Sequence, residues 1–156
     1  MAGFRSLLFA SVILVCQVSS AQKFNARTVL PNSLSNYSFG MSLDQFLATN
    51  KSASITKSAL PSRVEYQQTA PGDNIKKVTY YFGVENTKPL YEMIIEFNDL
   101  ASLDDHCSQT LGTANDGRQW KRTTREGYTF KAWRFGTTLV YALGLPETEW
   151  EKGWDN

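Results

Sequence analysis

Excess charge of one sign, histidine and paired cysteine are all scarce in this chain, and each scarcity argues against a class of function. Its 156 residues include 16 Lys and Arg against 15 Asp and Glu, and no long run of either sign occurs. A chain so evenly charged has no basic footprint for nucleic acid or for an anionic membrane surface. We therefore expect neither of these partners.

Histidine and cysteine are too few for the commonest catalytic and metal sites. The single histidine, His106, precedes Cys107 directly, and adjacent helical positions point about 100° apart, so the two side chains are poorly placed to act as a pair. A zinc site needs three or four ligands. Cys107 also lies on an apolar stripe with Leu103 and Leu111, which favours a buried structural cysteine. No phosphate-binding glycine loop or serine nucleophile motif is present. We predict no catalytic residue, no metal and no cofactor.

The first 21 residues have the order of an export signal. Arg5 precedes the apolar run 7–15, and Ser19 and Ala21 supply small residues where a signal peptidase reads. The run is far shorter than the about 20 apolar residues of a transmembrane helix. We therefore predict an exported protein, periplasmic or secreted, without a membrane span. Arg5 is the only charged residue of the leader, so the mature chain is close to neutral. With Cys16 removed, Cys107 has no intrachain disulfide partner.

The stretch 76–97 is the clearest structural signal in the chain. Two runs with apolar residues at every second position flank a loop at 83–89, which is the pattern of an antiparallel hairpin half-buried against a core. The core face is predicted to carry the side chains of Val78, Tyr80, Phe82, Tyr91, Met93, Ile95 and Phe97.

Two capped helices divide the remaining chain into similar halves. Ser42 opens one helix, with Gln45 completing a capping box, and Ser102 opens another that Gly112 ends. Three strands are predicted after each helix, so the halves match a tandem αβββ repeat or simply two similarly capped helices. Residues 51–62 are predicted to form a loop or a short helical turn. We predict an α+β two-layer sandwich, with an antiparallel sheet of about six strands and both helices on one face.

The predicted organisation is a signal peptide at 1–21, a polar and partly loose lead-in segment at 22–38, one domain at 39–145 and an acidic, Trp-containing tail at 146–156. The helix openings FGMSLDQFLATN and ASLDDHCSQTLGTAN each lead into antiparallel strands. Over residues 39–144 this arrangement resembles the tandem helix-plus-sheet modules of the β-lactamase inhibitor protein and of the small outer-membrane assembly lipoprotein. The resemblance implies a non-enzymatic, inhibitor- or immunity-like binding domain.

The face of the sheet opposite the helices is the candidate binding surface. Lys77, Thr79 and Tyr81 alternate with the core residues of one strand, as Glu92, Ile94 and Glu96 do on the next. Aromatic residues and Arg dominate binding hot spots. The predicted anchors are Tyr81, Ile94, Trp120 and Trp133, and the predicted orienting charges are Glu92, Glu96 and Arg122. Two alternatives remain open: that the Trp residues point into the core, or that the tail covers this face.

Three functions are compatible with these patterns. The first is an exported, non-enzymatic domain that binds a protein partner in the envelope or outside the cell through the open face. The second is a small secreted hydrolase whose carboxylates cluster only in the fold, drawn from Glu65, Glu92, Glu96, Asp104 and Asp105. The third is a structural subunit of an envelope assembly that docks through the tail. Oligomeric state and partner identity are not predicted.

Overall fold

The architecture is a single antiparallel sheet with helices on one side. The computed structural model describes residues 24–50 and 55–152, so the predicted signal peptide and the last residues of the tail lie outside the described part. Within that part, seven strands are hydrogen-bonded in the order β1-β2-β3-β4-β7-β6-β5. Their bounds are Ile55–Leu60 for β1, Arg63–Gly72 for β2, Ile75–Phe82 for β3, Leu90–Phe97 for β4, Gln119–Thr123 for β5, Thr129–Phe135 for β6 and Thr138–Leu143 for β7.

The first helix, α1 (Leu43–Thr49), begins where the sequence predicts. The Ser42 hydroxyl accepts from the Gln45 N–H, and the Gln45 side chain accepts from the Ser42 N–H, which completes the capping box. The ring of Phe46 then packs on three aromatic rings of β2 and β3, with centroid distances of 4.9 to 5.4 Å. These rings belong to Tyr66, Tyr80 and Phe82.

The second helix, α2 (Leu100–Thr110), begins earlier than predicted. Its N-cap is Asp99, whose carboxylate accepts from the Ser102 N–H at 2.7 Å, so Ser102 is inside the first turn and is not the cap. Asp is as good an N-cap as Ser, and the earlier one starts the helix. The predicted stripe faces the sheet, because Leu103 and Cys107 are buried.

The helices lie on one face of the sheet, which confirms the predicted α+β sandwich. Phe46 of α1 stacks near Tyr80 of β3, while His106 of α2 lies near Phe97 of β4 and Tyr141 of β7. Each helix is followed by a meander of antiparallel strands, and the two meanders meet where β4 pairs with β7. The chain order and the sheet order are therefore symmetric about this central pair, apart from β1 at the outer edge.

Strand β1 corrects the prediction for residues 51–62. We expected a loop or a helical turn, but residues 55–60 pair along their whole length with β2 in antiparallel register. A stretch with weak local preference becomes a strand when the edge of a neighbouring strand offers unpaired backbone groups for hydrogen bonding. The sheet therefore has one strand more than the six predicted.

The lead-in segment is ordered from Phe24 onward, contrary to the expectation that it would be partly loose. It forms two short 3₁₀ helices, Ala26–Val29 and Asn32–Leu34, in which Val29 and Leu34 are buried. The Tyr141 hydroxyl donates to the Val29 carbonyl at 2.9 Å. Burial of apolar side chains and this bond from the sheet hold a segment whose composition is mostly polar.

The outer edge of β5 is covered by a side chain. The Asn115 amide donates to the Lys121 carbonyl, and its oxygen accepts from the Lys121 N–H, both at 2.8 Å. This pair of bonds is what a neighbouring strand would offer. Directly after β5, Thr124 forms an isolated parallel bridge with Phe24.

Candidate functional site

The open face carries the predicted residues of the central hairpin. In the β3–β4 register, Tyr81 lies opposite Glu92, Thr79 opposite Ile94, and Lys77 opposite Glu96. The alternate residues, Val78 and Tyr80 among them, are buried on the helix face. Tyr81, Ile94, Glu92 and Glu96 therefore share the face on which the sequence places them.

Trp133 also belongs to the open face. It pairs with Val140 of β7, and Val140 pairs with Ile94 of β4, so the three side chains form one row across the sheet. Two residues beyond Trp133, Phe135 is 59% exposed. Sequence reasoning missed Phe135, although it has the same phase as Trp133 and directly precedes the tight hairpin at Gly136.

Trp120 and Arg122 do not belong to the open face, and their prediction as anchor and orienting charge there was wrong. Trp120 pairs with Ala132, which pairs with Tyr141, so it faces the helices and is only 5% exposed. Its indole N–H donates to the Gly112 carbonyl at 2.9 Å, and Arg122 donates to the Leu111 carbonyl at 2.6 Å. Both side chains satisfy carbonyl groups at the end of α2, which lack partners within the helix.

The tail covers one end of the open face, as one of the alternatives allowed. The Trp150 indole N–H donates to the Glu92 carboxylate at 2.8 Å. The Trp150 and Trp133 rings lie 6.0 Å apart at an interplanar angle of 71°, an edge-to-face arrangement. Phe135 and Glu96 lie toward the other end of their strands. We call the part near Glu92 the covered end, and the part around Ile94, Glu96, Phe135 and Thr138 the uncovered end.

Glu149 adds a second carboxylate to the covered end. It accepts from the Tyr91 hydroxyl at 3.1 Å and pairs with the Arg63 guanidinium at 3.4 Å. That guanidinium lies 4.0 Å from the centre of the Tyr81 ring, a cation–π geometry. Five side chains from β2, β3, β4 and the tail thus form one cluster: Arg63, Tyr81, Tyr91, Glu92 and Glu149.

Tyr91 reaches this cluster because of an irregularity in β4. The sequence places it on the core face with Met93, yet its hydroxyl bonds Glu149. Phe82 lies opposite Leu90 and Tyr81 opposite Glu92, so Tyr91 is an extra residue without a partner on β3. A bulge of this kind redirects a side chain, which period-2 reasoning cannot anticipate.

Glu92 is the most perturbed carboxyl group of the cluster. Only 5% of the residue is exposed. Burial raises the pKa of Glu92 from its ordinary value of 4.5 to about 7, and the negative Glu149 adds to the rise, while the Trp150 N–H and Arg63 oppose it. The group is therefore partly protonated near neutral pH and can donate or accept a hydrogen bond.

The other carboxylates of the predicted hydrolase set are dispersed. Glu96 bonds Lys76 at 2.6 Å, Asp104 pairs with Arg134, and Glu65 accepts from Gln67 at 2.6 Å. Glu65 and Glu92 both flank Tyr81 in the sheet, two strand spacings apart, which is about 9.6 Å. The close acidic neighbour of Glu92 is Glu149, a residue outside that set.

His106 and Cys107 lie apart from this surface. The His106 Nε2 is 2.8 Å from the Tyr141 hydroxyl oxygen. Because the Tyr141 hydroxyl donates its proton to the Val29 carbonyl, the His106 Nε2 carries the proton of the hydrogen bond between the two side chains. Burial lowers the pKa of His106 and raises the pKa of Cys107. His106 borders a cavity of about 300 Å³ that Asp73, Phe97, Ser102 and Asp105 also line.

A second cavity, of about 370 Å³, lies between Phe39, the β3–β4 loop, the β5–β6 loop and the residues that follow β7. Its lining mixes apolar and aromatic side chains with two carboxylates, from Phe39, Pro89, Tyr128, Leu145, Glu126 and Glu147. Within residues 24–50 and 55–152, no group of three or more His, Cys, Asp or Glu is arranged to hold a metal ion. The helices of the same residues are too short and too polar to cross a membrane.

Comparison of the chain with protein-family models, with curated proteins and with solved structures finds no match. The functional reading of the open face therefore depends on its own geometry.

Proposed function

We propose that this chain is an exported, non-enzymatic domain that binds a protein partner through the uncovered end of its open sheet face. The observation that carries the proposal is the exposed ring of Phe135, which shares the open face with the half-buried side chains of Ile94 and Trp133, while Val140 between these two is itself only 2% exposed. Phe135, with the accessible parts of Ile94 and Trp133, offers aromatic and aliphatic area to another surface on the side of the sheet away from the helices. Aromatic residues of this sort dominate binding energy at protein interfaces.

Charges at the uncovered end supply orientation. Glu96 lies between Lys76 and Lys77, at 2.6 and 3.9 Å, and all three side chains retain solvent contact. Charged groups at the rim of an interface steer association and set register more than they add affinity. Inhibitor- or immunity-like action is the narrower form of the proposal, and its support is the resemblance of the two helix openings.

The test is affinity capture of partners by the tagged mature chain from its own envelope and culture fluid, followed by titration with the purified partner. Phe135→Ser and Ile94→Ser are expected to weaken binding at least tenfold. The matched control is Leu47→Ser, which removes a leucine that is 40% exposed on α1, on the other side of the molecule. Equal binding by all three variants would place the partner elsewhere and contradict the proposal.

A second candidate function is a hydrolase that uses a carboxyl pair. One observation favours it: the pKa of Glu92 is about 7 and Glu149 is close by, which is the kind of perturbation seen in acid–base catalysts. Trp150 lies on Glu92, so a substrate would have to displace the tail. Glycoside and ester substrates assayed with the parent and with Glu92→Gln would decide it, since a catalytic Glu92 requires the variant to lose all turnover.

A further inference from the structure

Polar and aromatic groups of the covered end each contact a group of the tail. On the sheet side, Glu92 accepts the indole N–H, Trp133 provides an aromatic wall, and Arg63 and Tyr91 donate to a carboxylate. On the tail side, two consecutive residues, Glu149 and Trp150, fill these positions.

Gly144, directly after β7, lets the tail backbone pass close to the sheet. Its φ lies outside the left-handed region, so the backbone conformation does not require glycine. A Cβ at this position would lie 2.8 Å from the Trp150 carbonyl oxygen, a distance that real Cβ atoms essentially never show. The glycine is needed because the tail backbone passes this close to the sheet.

The tail presents its two residues from a turn that is held together locally. The Glu151 N–H donates to the Thr148 carbonyl at 3.1 Å, and the Thr148 hydroxyl donates to the Leu145 carbonyl at 2.7 Å. The Glu147 N–H is bonded by the Glu151 carboxylate at 2.9 Å. These bonds are internal to residues 145–151, so a loop of another protein with the same sequence pattern over that length can form the same turn.

We propose that the covered end is a recognition site for a partner turn that carries a carboxylate followed directly by an indole, and that the tail occupies this site in the free chain. The inference deepens the proposed function, and it rests on that function for the existence of a partner. Exchange of one such turn for another conserves the hydrogen bonds and the ring contact. The partner must overcome the effective concentration of a tethered tail, which is in the millimolar range, and its contacts with the uncovered end contribute to that.

The test uses the full mature chain with its own tail disabled by Glu149→Ala and Trp150→Ala together. A fluorescent peptide with the sequence LPETEWEK, which includes the Leu145 carbonyl that Thr148 bonds, is titrated into this variant and into the parent, and its anisotropy is measured. We expect saturable binding to the variant and at least tenfold weaker binding to the parent. A peptide in which alanine replaces tryptophan, and a scrambled peptide, are expected not to bind.

Two receptor variants locate the site. Glu92→Ala added to the tail-disabled chain is expected to abolish peptide binding, while Phe135→Ser in the same background is expected to preserve it. If the doubly substituted chain fails to fold by circular dichroism, Trp150→Ala alone serves as the second receptor, because it removes the indole from the site and keeps Gly144 free for the peptide backbone.

The inference is overturned if a folded, tail-disabled receptor binds the native peptide no better than the alanine peptide. Its failure is distinct from failure of the proposed function. A partner captured through Phe135 in the absence of peptide binding would leave that function in place and remove this site from it. Peptide binding that depends on both Glu92 and the tryptophan would support the site directly.

Discussion

The two ends of the open face lie on the same strands, yet only one is covered. At the covered end, Glu92 is buried and its hydrogen bonds are supplied by the tail. At the uncovered end, Glu96 keeps solvent contact and pairs with surface lysines. A buried carboxyl group needs partners, whereas an exposed one has water. The difference suggests that the polar groups, more than the aromatic rings, decide where the tail lies.

The largest expected effect tests the protonation of the covered end. Because the folded-state pKa of Glu92 is raised from 4.5 to about 7, its contribution favours folding below pH 4.5 and is lost as the pH rises through 7. A tenfold change in proton affinity corresponds to about 1.4 kcal/mol, so the free energy of unfolding should fall by roughly 3 kcal/mol over this range. Denaturant unfolding of the parent and of Glu92→Gln at several pH values measures it. Equal pH profiles would contradict the assignment.

A smaller effect compares one aromatic residue from each end. Trp150→Ala should lower the free energy of unfolding by about 2 kcal/mol, because a half-buried indole loses its ring contact and its bond to Glu92. Phe135→Ala, its matched control at the uncovered end, should change it by less than about 0.5 kcal/mol. Chemical denaturation with both variants checks this. A larger loss for Phe135→Ala would mean that its ring is packed.

The close approach of the tail to Gly144 gives a third test. Gly144→Ala should cost about 1 kcal/mol or somewhat more, because the added methyl group collides with the Trp150 carbonyl. Hydrogen exchange should quicken in the tail and stay slow in β4 and β7. Unchanged exchange of the tail amides would show that the segment has room to shift.

The smallest effect is expected at Glu96. Glu96→Gln removes an ion pair with Lys76 in which both side chains reach solvent, and such pairs contribute less than about 0.5 kcal/mol. The hydrogen bond from Lys76 lowers the pKa of Glu96, so the pair is lost only as the pH falls below the ordinary range of a carboxyl group. Unfolding at neutral pH, beside Glu92→Gln, makes the comparison between the two ends.

Sequence reasoning reached the features that depend on local periodicity. The alternation in 76–97 correctly assigned the faces of Tyr81 and Ile94, and the capping box at Ser42 is confirmed. These patterns work because side-chain direction in a strand and hydrogen bonding at a helix start are set by nearby residues.

The features it missed depend on distant parts of the chain. Trp120 lies on the helix face by the register of β5 with β6, and there its indole N–H finds the Gly112 carbonyl just past α2, a partner that a strand pattern does not record. The bulge at Tyr91 reverses one side chain inside an otherwise regular strand. The contact of Glu92 with Trp150 joins residues that are 58 positions apart. Only the fold brings such groups together.

The amide of Asn115 has a consequence for self-association. Sheets of separate molecules join by pairing their edge strands, and open-ended growth into a fibre requires two free edges on each copy. Asn115 occupies the backbone groups of Lys121 in the middle of β5, so this edge cannot accept a strand without first losing two hydrogen bonds. Pairing through β1 alone ends at a dimer. The Asn115 amide and the Phe24 bridge at Thr124 therefore leave β1 as the edge through which the described sheet can pair, and edge-to-edge assembly of this kind stops at two copies.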